Sequence, residues 1–364
     1  MTDVTSGRKQ HELLADCYRE FAALGFTRKP VGRHAVELAI LLTLGLGGAV
    51  AFLTAAGITG QAVALVVMTL GNLGLTTYGH SASHNGIAER TWVNRALMYL
   101  VYGVIFGTSS SWWWNKHIAV HHATPNVLGL DDDVHLLPWF ALTDEQARTG
   151  SPLQQWYYRR QWLVLPLALA LTAISMMVSS WLFLARALSS SRRTSRHVAD
   201  VIALLLHPLA WIALPLIWWP AGDVAAFYMV RAALLGGAVF LTAAPAHFPA
   251  EARFFSSEGH EDRASYRRHS DYILLQTSTT VNFRTNWVGD LLCCGSQYQI
   301  EHHLFPTISH AYYPQMSPLV RRFCDTHGYP YQSIGWGEGI WKSLRVFWRP
   351  KRVEPRLAAD QSTW

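Results

Sequence analysis

Long apolar runs alternate with short polar boxes along this chain, on a length scale set by a bilayer. Residues 38–85 carry no formal charge unless a histidine is protonated, which leaves room for two crossings of about 20 residues each. Gly57-Ile-Thr-Gly60 supplies the turn, and without Lys or Arg it should face the non-cytoplasmic side. Residues 201–222 and 224–246 read as a second hairpin around Pro220-Ala-Gly-Asp223. Arg231 falls inside it, which is costly unless the side chain snorkels or pairs. Two other charge-free runs, 96–115 and 162–185, read as re-entrant or interfacial. A full crossing of the first would put its flanking polar boxes on opposite faces. The second is followed by a basic loop, Arg186, Arg192, Arg193 and Arg196, which should be cytoplasmic.

The expected fold is an all-α integral membrane protein. Two transmembrane hairpins, four spans in all, are joined by re-entrant or interfacial helices and carry a cytosolic helical cap. The whole is one membrane unit: a cytosolic segment 1–37, the first hairpin 38–79, two polar boxes with interfacial helices 80–200, the second hairpin 201–246, the cap 247–336 and a basic, aromatic tail 337–364. A weak helical stripe over residues 13–24 suits a membrane surface. The last dozen residues read as disordered.

Composition agrees. Charged residues make up 15% of the chain, against roughly 25% in an average soluble domain, and the 16 Trp suit interfacial belts. The net charge of +6 flanks apolar segments, so it reads as positive-inside bias and not as a nucleic-acid surface. Cys17, Cys293, Cys294 and Cys324 form no CxxC pair and read as reduced, buried thiols. No cleavable signal peptide is visible, because the first 37 residues are polar and of mixed charge.

Three boxes hold seven of the 17 histidines: His80-Ser-Ala-Ser-His84, His117-Ile-Ala-Val-His121-His122 and Gln299-Ile-Glu-His302-His303. On a helix, residues four apart share a face at about 6 Å, so His80/His84 and His117/His121 are metal-gripping pairs. His122 diverges from His121 by about 100° and can address a second ion, and His302/His303 repeat that divergence. His247, ending the last span, makes eight imidazoles, enough for two ions. Asp131, Asp133, Asp290, Gln299 and Glu301 are polar neighbours able to orient the rings. HExxH and thiolate pairs are absent, against a zinc protease, structural zinc or an iron–sulfur cluster; imidazole suits iron, zinc and copper. His11, His34, His197, His260, His269, His310 and His327 read as ordinary polar residues and His207 as packed within a span. His135 stays open.

The boxes HSASH, HIAVHH and QIEHH, the stretch HHATPNVLGLDDDVHLLP, and QIEHHLFP followed by Tyr312-Tyr-Pro314 resemble the membrane fatty acid desaturase family over residues 38–330. A third box beginning with Gln is similar to the front-end branch, and His247 falls where the family has an additional ligand. The resemblance implies two non-haem iron ions held almost entirely by histidine. It also implies O2 as co-substrate and removal of two hydrogens from a fatty acyl chain linked to lipid, CoA or acyl-carrier protein. The His-Pro-Gly-Gly signature of a fused cytochrome b5 domain is missing, so electrons should come from a separate ferredoxin or cytochrome b5-type protein. Box one lacks the acidic residue common in the family, and three residues precede the pair in box two where front-end members often have two. The boxes and both termini are expected on the cytoplasmic side.

Three other readings compete. The same scaffold could hydroxylate, acetylenate or oxidise a carotenoid. A membrane haem electron carrier would need histidine pairs deep within spans. A metal-ion transporter would need polar ligands at the midplane.

Overall fold

The computed structural model describes residues 2–191, 193–257, 259 and 262–355. Arg192, His260 and the tail from 356 onward lie outside them, so the expected loose tail falls largely beyond the described residues. Helix α1 (Thr2–Ala23) leads into α2 (Val31–Thr54), which turns at Ala55–Ala56 into α3 (Gly57–Ser83). This hairpin packs through small residues. A Cβ on Gly71 would lie 2.2 Å from the Gly45 backbone nitrogen, and one on Gly48 would lie 2.6 Å from that of Met68. Backbones approach this closely only where side chains are absent.

Helix α4 (91–106) ends where Gly107 adopts a left-handed φ of +94°, and α5 (110–121) follows. The apolar run 96–115 is therefore broken in two. A break inside an apolar bundle frees carbonyls that must find donors. Val104 O accepts from His207 Nδ1 at 2.8 Å and Trp211 Nε1 at 3.0 Å, and Ile105 O accepts from Arg231 Nη2. Arg231 thus neither snorkels nor pairs with a carboxylate. It is 1% exposed, with its guanidinium 3.7 Å from the Trp211 ring centre.

Three more helices are long and apolar enough to cross a membrane: α6 (Leu165–Leu188), α7 (Ser195–Ile217) and α8 (Ala221–His247). With α2 and α3 the candidates number five, where four were expected. The extra one is α6, read from sequence as re-entrant or interfacial. It is an unbroken helix about 36 Å long, antiparallel to α8. Leu165 clusters with Ala244 and Phe248, Ala173 and Met177 with Ala232 and Leu235, and Met177 Sδ lies 3.5 Å from the Tyr228 hydroxyl. A Cβ on Gly236 would sit 2.8 Å from the Leu169 carbonyl. By contrast α7 loses regular α geometry at Pro208, and its Ala203 packs against Gly103 of α4.

Past α8 lies the segment expected to form the cap. It contains α9 (Tyr272–Thr279), α10 (Gln299–Leu304), α11 (Tyr313–His327) and α12 (Trp336–Arg345). Strand β1 (Asn282–Arg284) pairs in parallel with β2 (Ser333–Gly335). The α1 stripe does not lie on a membrane surface: Cys17 and Phe21 are buried against this cap, Phe21 meeting Phe305 edge-on at 5.0 Å. The four cysteines are free and buried. Exposed Trp341 and Trp348 lie near the chain's end.

Candidate metal centre

His80 lies in the last turn of α3 and His84 just after it, while His247 is the last residue of α8. Box three occupies α10. Box two ends α5, whose residues Trp114–His121 are π-helical. There the His122 N–H reaches His117 O at 3.0 Å, an i→i+5 bond. More than four residues fill each such turn, so it is His122 whose Nε2 comes within 3.1 Å of His117 Nε2. The expected pairing of His117 with His121 is also met: with Asp133 their ligand atoms lie within 4.8 Å of one another, and the two rings stack at 5.3 Å.

The eight imidazoles fall into two groups. His80, His84, His117, His122 and His302 form one, and His121, His247 and His303 the other. Within each, one nitrogen per ring lies within 4.8 Å of the rest. In the larger group His80 Nε2 is 2.7 Å from His117 Nε2, and His302 Nε2 is 3.1 Å from His122 Nε2. His84 Nε2 is buried without a hydrogen-bond partner among the described residues.

Contacts on the far sides fix the tautomers. His303 Nδ1 donates to Gln276 Oε1 at 2.7 Å and His121 Nδ1 to Asp131 Oδ2 at 2.9 Å, so both turn an Nε2 lone pair inward. The Gln299 amide nitrogen lies 2.9 Å from His247 Nε2 and 3.4 Å from His303 Nε2, a donor aimed at two acceptors. Burial, reinforced by neighbouring rings, holds His84, His122, His302 and His303 well below the ordinary histidine pKa. Burial opposes charge on His121 too, but Asp131 outweighs it and raises that ring. Neutral, converging imidazoles backed by oxygen acceptors are the donor set a borderline transition metal takes. The residues fit a two-metal group.

The other expected neighbours divide. Asp133 is 3.5 Å from His121 Nδ1 and pairs with Lys116. Glu301 turns away, accepting from Asn282 Nδ2 at 2.7 Å and the Tyr331 hydroxyl at 2.6 Å. Asp290 bonds Thr285 and Gln297; neither it nor Glu301 meets a box histidine. Sequence reading missed Gln276, Asn126 and Asp200. Asn126 Nδ2 donates to the carbonyls of His247, Arg253 and Thr279. Asp200, fully buried, takes the Ser109 hydroxyl at 3.0 Å and the N–H groups of Ser110 and Ser111 at 2.8 and 3.1 Å, steadying the start of α5. A carboxylate there satisfies orphan N–H groups and complements the helix dipole. Gln276 opens the polar run Gln276-Thr-Ser-Thr-Thr280, whose placement amid apolar residues was its one signal in the sequence.

The sequence is similar to that of known proteins. The family model described as fatty acid desaturase matches residues 55–335. The chain is 29% identical over 286 residues to a Delta(5) fatty acid desaturase of Caenorhabditis elegans, covering 76% of this chain and 61% of that one. It is 26% identical over 338 residues to an acyl-lipid (8-3)-desaturase of Rebecca salina, covering 91% and 74%. It is also 26% identical to an sn-1 linoleoyl-lipid 6-desaturase of Synechocystis, covering 70% of each. With the family model matching well over half its length and eight histidines gathered in two clusters, the chain belongs to the fatty acid desaturase family.

Proposed function

We propose that the protein is an O2-dependent, membrane-embedded fatty acyl desaturase with two iron ions held by His80, His84, His117, His121, His122, His247, His302 and His303. The observation that carries this is the convergence of all eight rings into groups of five and three. The reaction converts CH2–CH2 to CH=CH and O2 to two waters, taking two electrons and two protons. The electrons come from a separate ferredoxin or cytochrome b5-type donor. Bound iron supplies oxygen activation and C–H abstraction.

The chain's own residues set where that chemistry acts. Asp131 and Gln276 hold His121 and His303 from behind. Trp113 stacks on His117 at 4.8 Å and Tyr102 on Trp113 at 4.9 Å, giving the centre an apolar, water-excluding wall. One methylene distinguishes only about 1–3 kcal/mol, so regioselectivity rests on how deep the chain sits and where its carboxyl end is caught. The named activities of the relatives favour an acyl-lipid substrate and front-end regiochemistry.

Helices α2, α3, α6 and α8 cross the bilayer in this reading, with the boxes and termini on the cytoplasmic face. Leu165 of α6 packs with Ala244 and Phe248 at the end of α8, which supports an even number of crossings between them. The helix that does not cross is α7. Expression in a host of defined lipid composition, with mass spectrometry and double-bond mapping, tests the activity. A product lighter by two hydrogens is expected, and one carrying an added oxygen overturns it.

A further inference from the structure

Two histidines with nothing unusual in their sequence pattern meet one carboxylate far from them in the chain. His34 and Glu37 stand at the start of α2, and His310 lies just beyond box three. His34 Nδ1 is 3.0 Å and His310 Nε2 3.1 Å from the same Glu37 oxygen, Oε2. The three ligand-capable atoms all lie within 4.8 Å of one another. The side chains of His34 and His310 are 2% and 4% exposed and that of Glu37 is 15% exposed.

The atoms facing outward are also held. His34 Nε2 meets Ser309 Oγ at 2.8 Å, and Glu37 Oε1 accepts from Arg33 Nε at 2.8 Å. Arg33 Nη1 donates on to Ala311 O at 3.1 Å, and the Tyr78 hydroxyl donates to His34 O at 3.1 Å. Two imidazoles and a carboxylate converging on one point make a three-ligand zinc set, with His34 and Glu37 oriented from behind by the Ser309 hydroxyl and the Arg33 guanidinium and His310 Nδ1 buried without a partner among the described residues. None of the eight histidines of the metal centre belongs to this group.

We infer that His34, Glu37 and His310 bind a zinc-class divalent ion, separate from the eight-histidine centre. The ion joins the start of α2 to the segment that follows box three. In that segment the Tyr313 hydroxyl lies 3.3 Å from His302 Nδ1, so the joint also steadies a box-three ring. The same contacts without a metal would be a carboxylate shared by two imidazole N–H groups, and elemental analysis separates the two.

The full chain, purified in detergent after growth with added zinc, should lose one metal equivalent on Glu37→Gln. It should keep that equivalent in the His302→Ala/His303→Ala double variant, which removes one ligand from each group of the other centre. Because Glu37→Gln can also disturb folding, His310→Gln is measured beside it. Cobalt loaded into the double variant should give the visible absorption of a four-coordinate ion, and adding Glu37→Gln should remove one equivalent of it. Equal metal content in wild type, Glu37→Gln and His310→Gln overturns the inference, as does a double variant that binds no metal. None of these readouts requires the chain to desaturate anything, so the acyl reaction can fail while this site stands.

Discussion

His121 Nδ1 lies 2.9 Å from Asp131 Oδ2, and neither side chain is more than 3% exposed. The carboxylate also accepts the Asn126 and Asp133 backbone N–H groups at 2.8 and 3.0 Å, so it cannot swing away. It fixes His121 with Nδ1 protonated and Nε2 directed at His247 and His303. Asp131→Asn keeps the shape and removes the charge. Loss of such a carboxylate behind a ligand histidine weakens metal binding by about 10–100-fold. Chelator competition should show this drop with helicity unchanged. Unaltered metal affinity would remove Asp131 from any orienting role.

His302 and His303 are adjacent yet serve different groups. Replacing His302 leaves four imidazoles in the larger group, whereas replacing His303 leaves two in the smaller. Both alanine variants should lose activity while still resisting carbonate extraction from membranes. Metal analysis should separate them: the His303→Ala variant falls to about one iron per chain, and His302→Ala keeps more. Desaturation surviving in either would reject the ligand assignment.

The histidine boxes were legible because their residue types are rare and their spacing is helical. Their division into five and three was not, since it depends on a π-helical turn at Trp114–His121 that no side chain announces. Arg231 was legible as an anomaly only. Its partner, the Ile105 carbonyl, exists because the chain breaks at Gly107, and a backbone acceptor leaves no mark in a sequence. His34 and His310 were passed over for a related reason: residues 276 positions apart in the chain form a cluster only once α2 and the cap are assembled. The choice between α6 and α7 as a span was not legible because hydropathy scores them alike, and the proposed topology rests on the packing of α6 along α8.

Gly107 should be intolerant of any side chain. Its φ of +94° is one that L-residues rarely adopt, and a Cβ there would lie 2.9 Å from His207 Nε2. The left-handed backbone alone costs about 1–2 kcal/mol, and the clash would push His207 off the Val104 carbonyl. Gly107→Ala should therefore lower the thermal midpoint in detergent. Because the break positions the start of α5, metal content should fall as well. A variant as stable as wild type would mean that the break is not fixed by this residue.

The arrangement of α6, α7 and α8 makes a prediction against the usual charge rule. If α6 crosses beside α8 and α7 does not, the loop after Leu188, with Arg193 and Arg196, lies on the face away from the histidines. Positive-inside bias would place it on the same face as the boxes. Packing favours the first arrangement: the Leu165 end of α6 is tied to Ala244 and Phe248, and its middle meets Ala232 and Leu235, so its far end extends toward the start of α8. The four native cysteines are buried, which leaves little background for thiol labelling. Single variants Ser189→Cys, Ile58→Cys and Leu153→Cys report the loop, the first hairpin turn and the histidine face in turn. With a membrane-impermeant maleimide on sealed vesicles, Ser189→Cys should label from the same side as Ile58→Cys and opposite to Leu153→Cys. Labelling with Leu153→Cys instead would make α7 and α8 the crossing pair and return α6 to a re-entrant role.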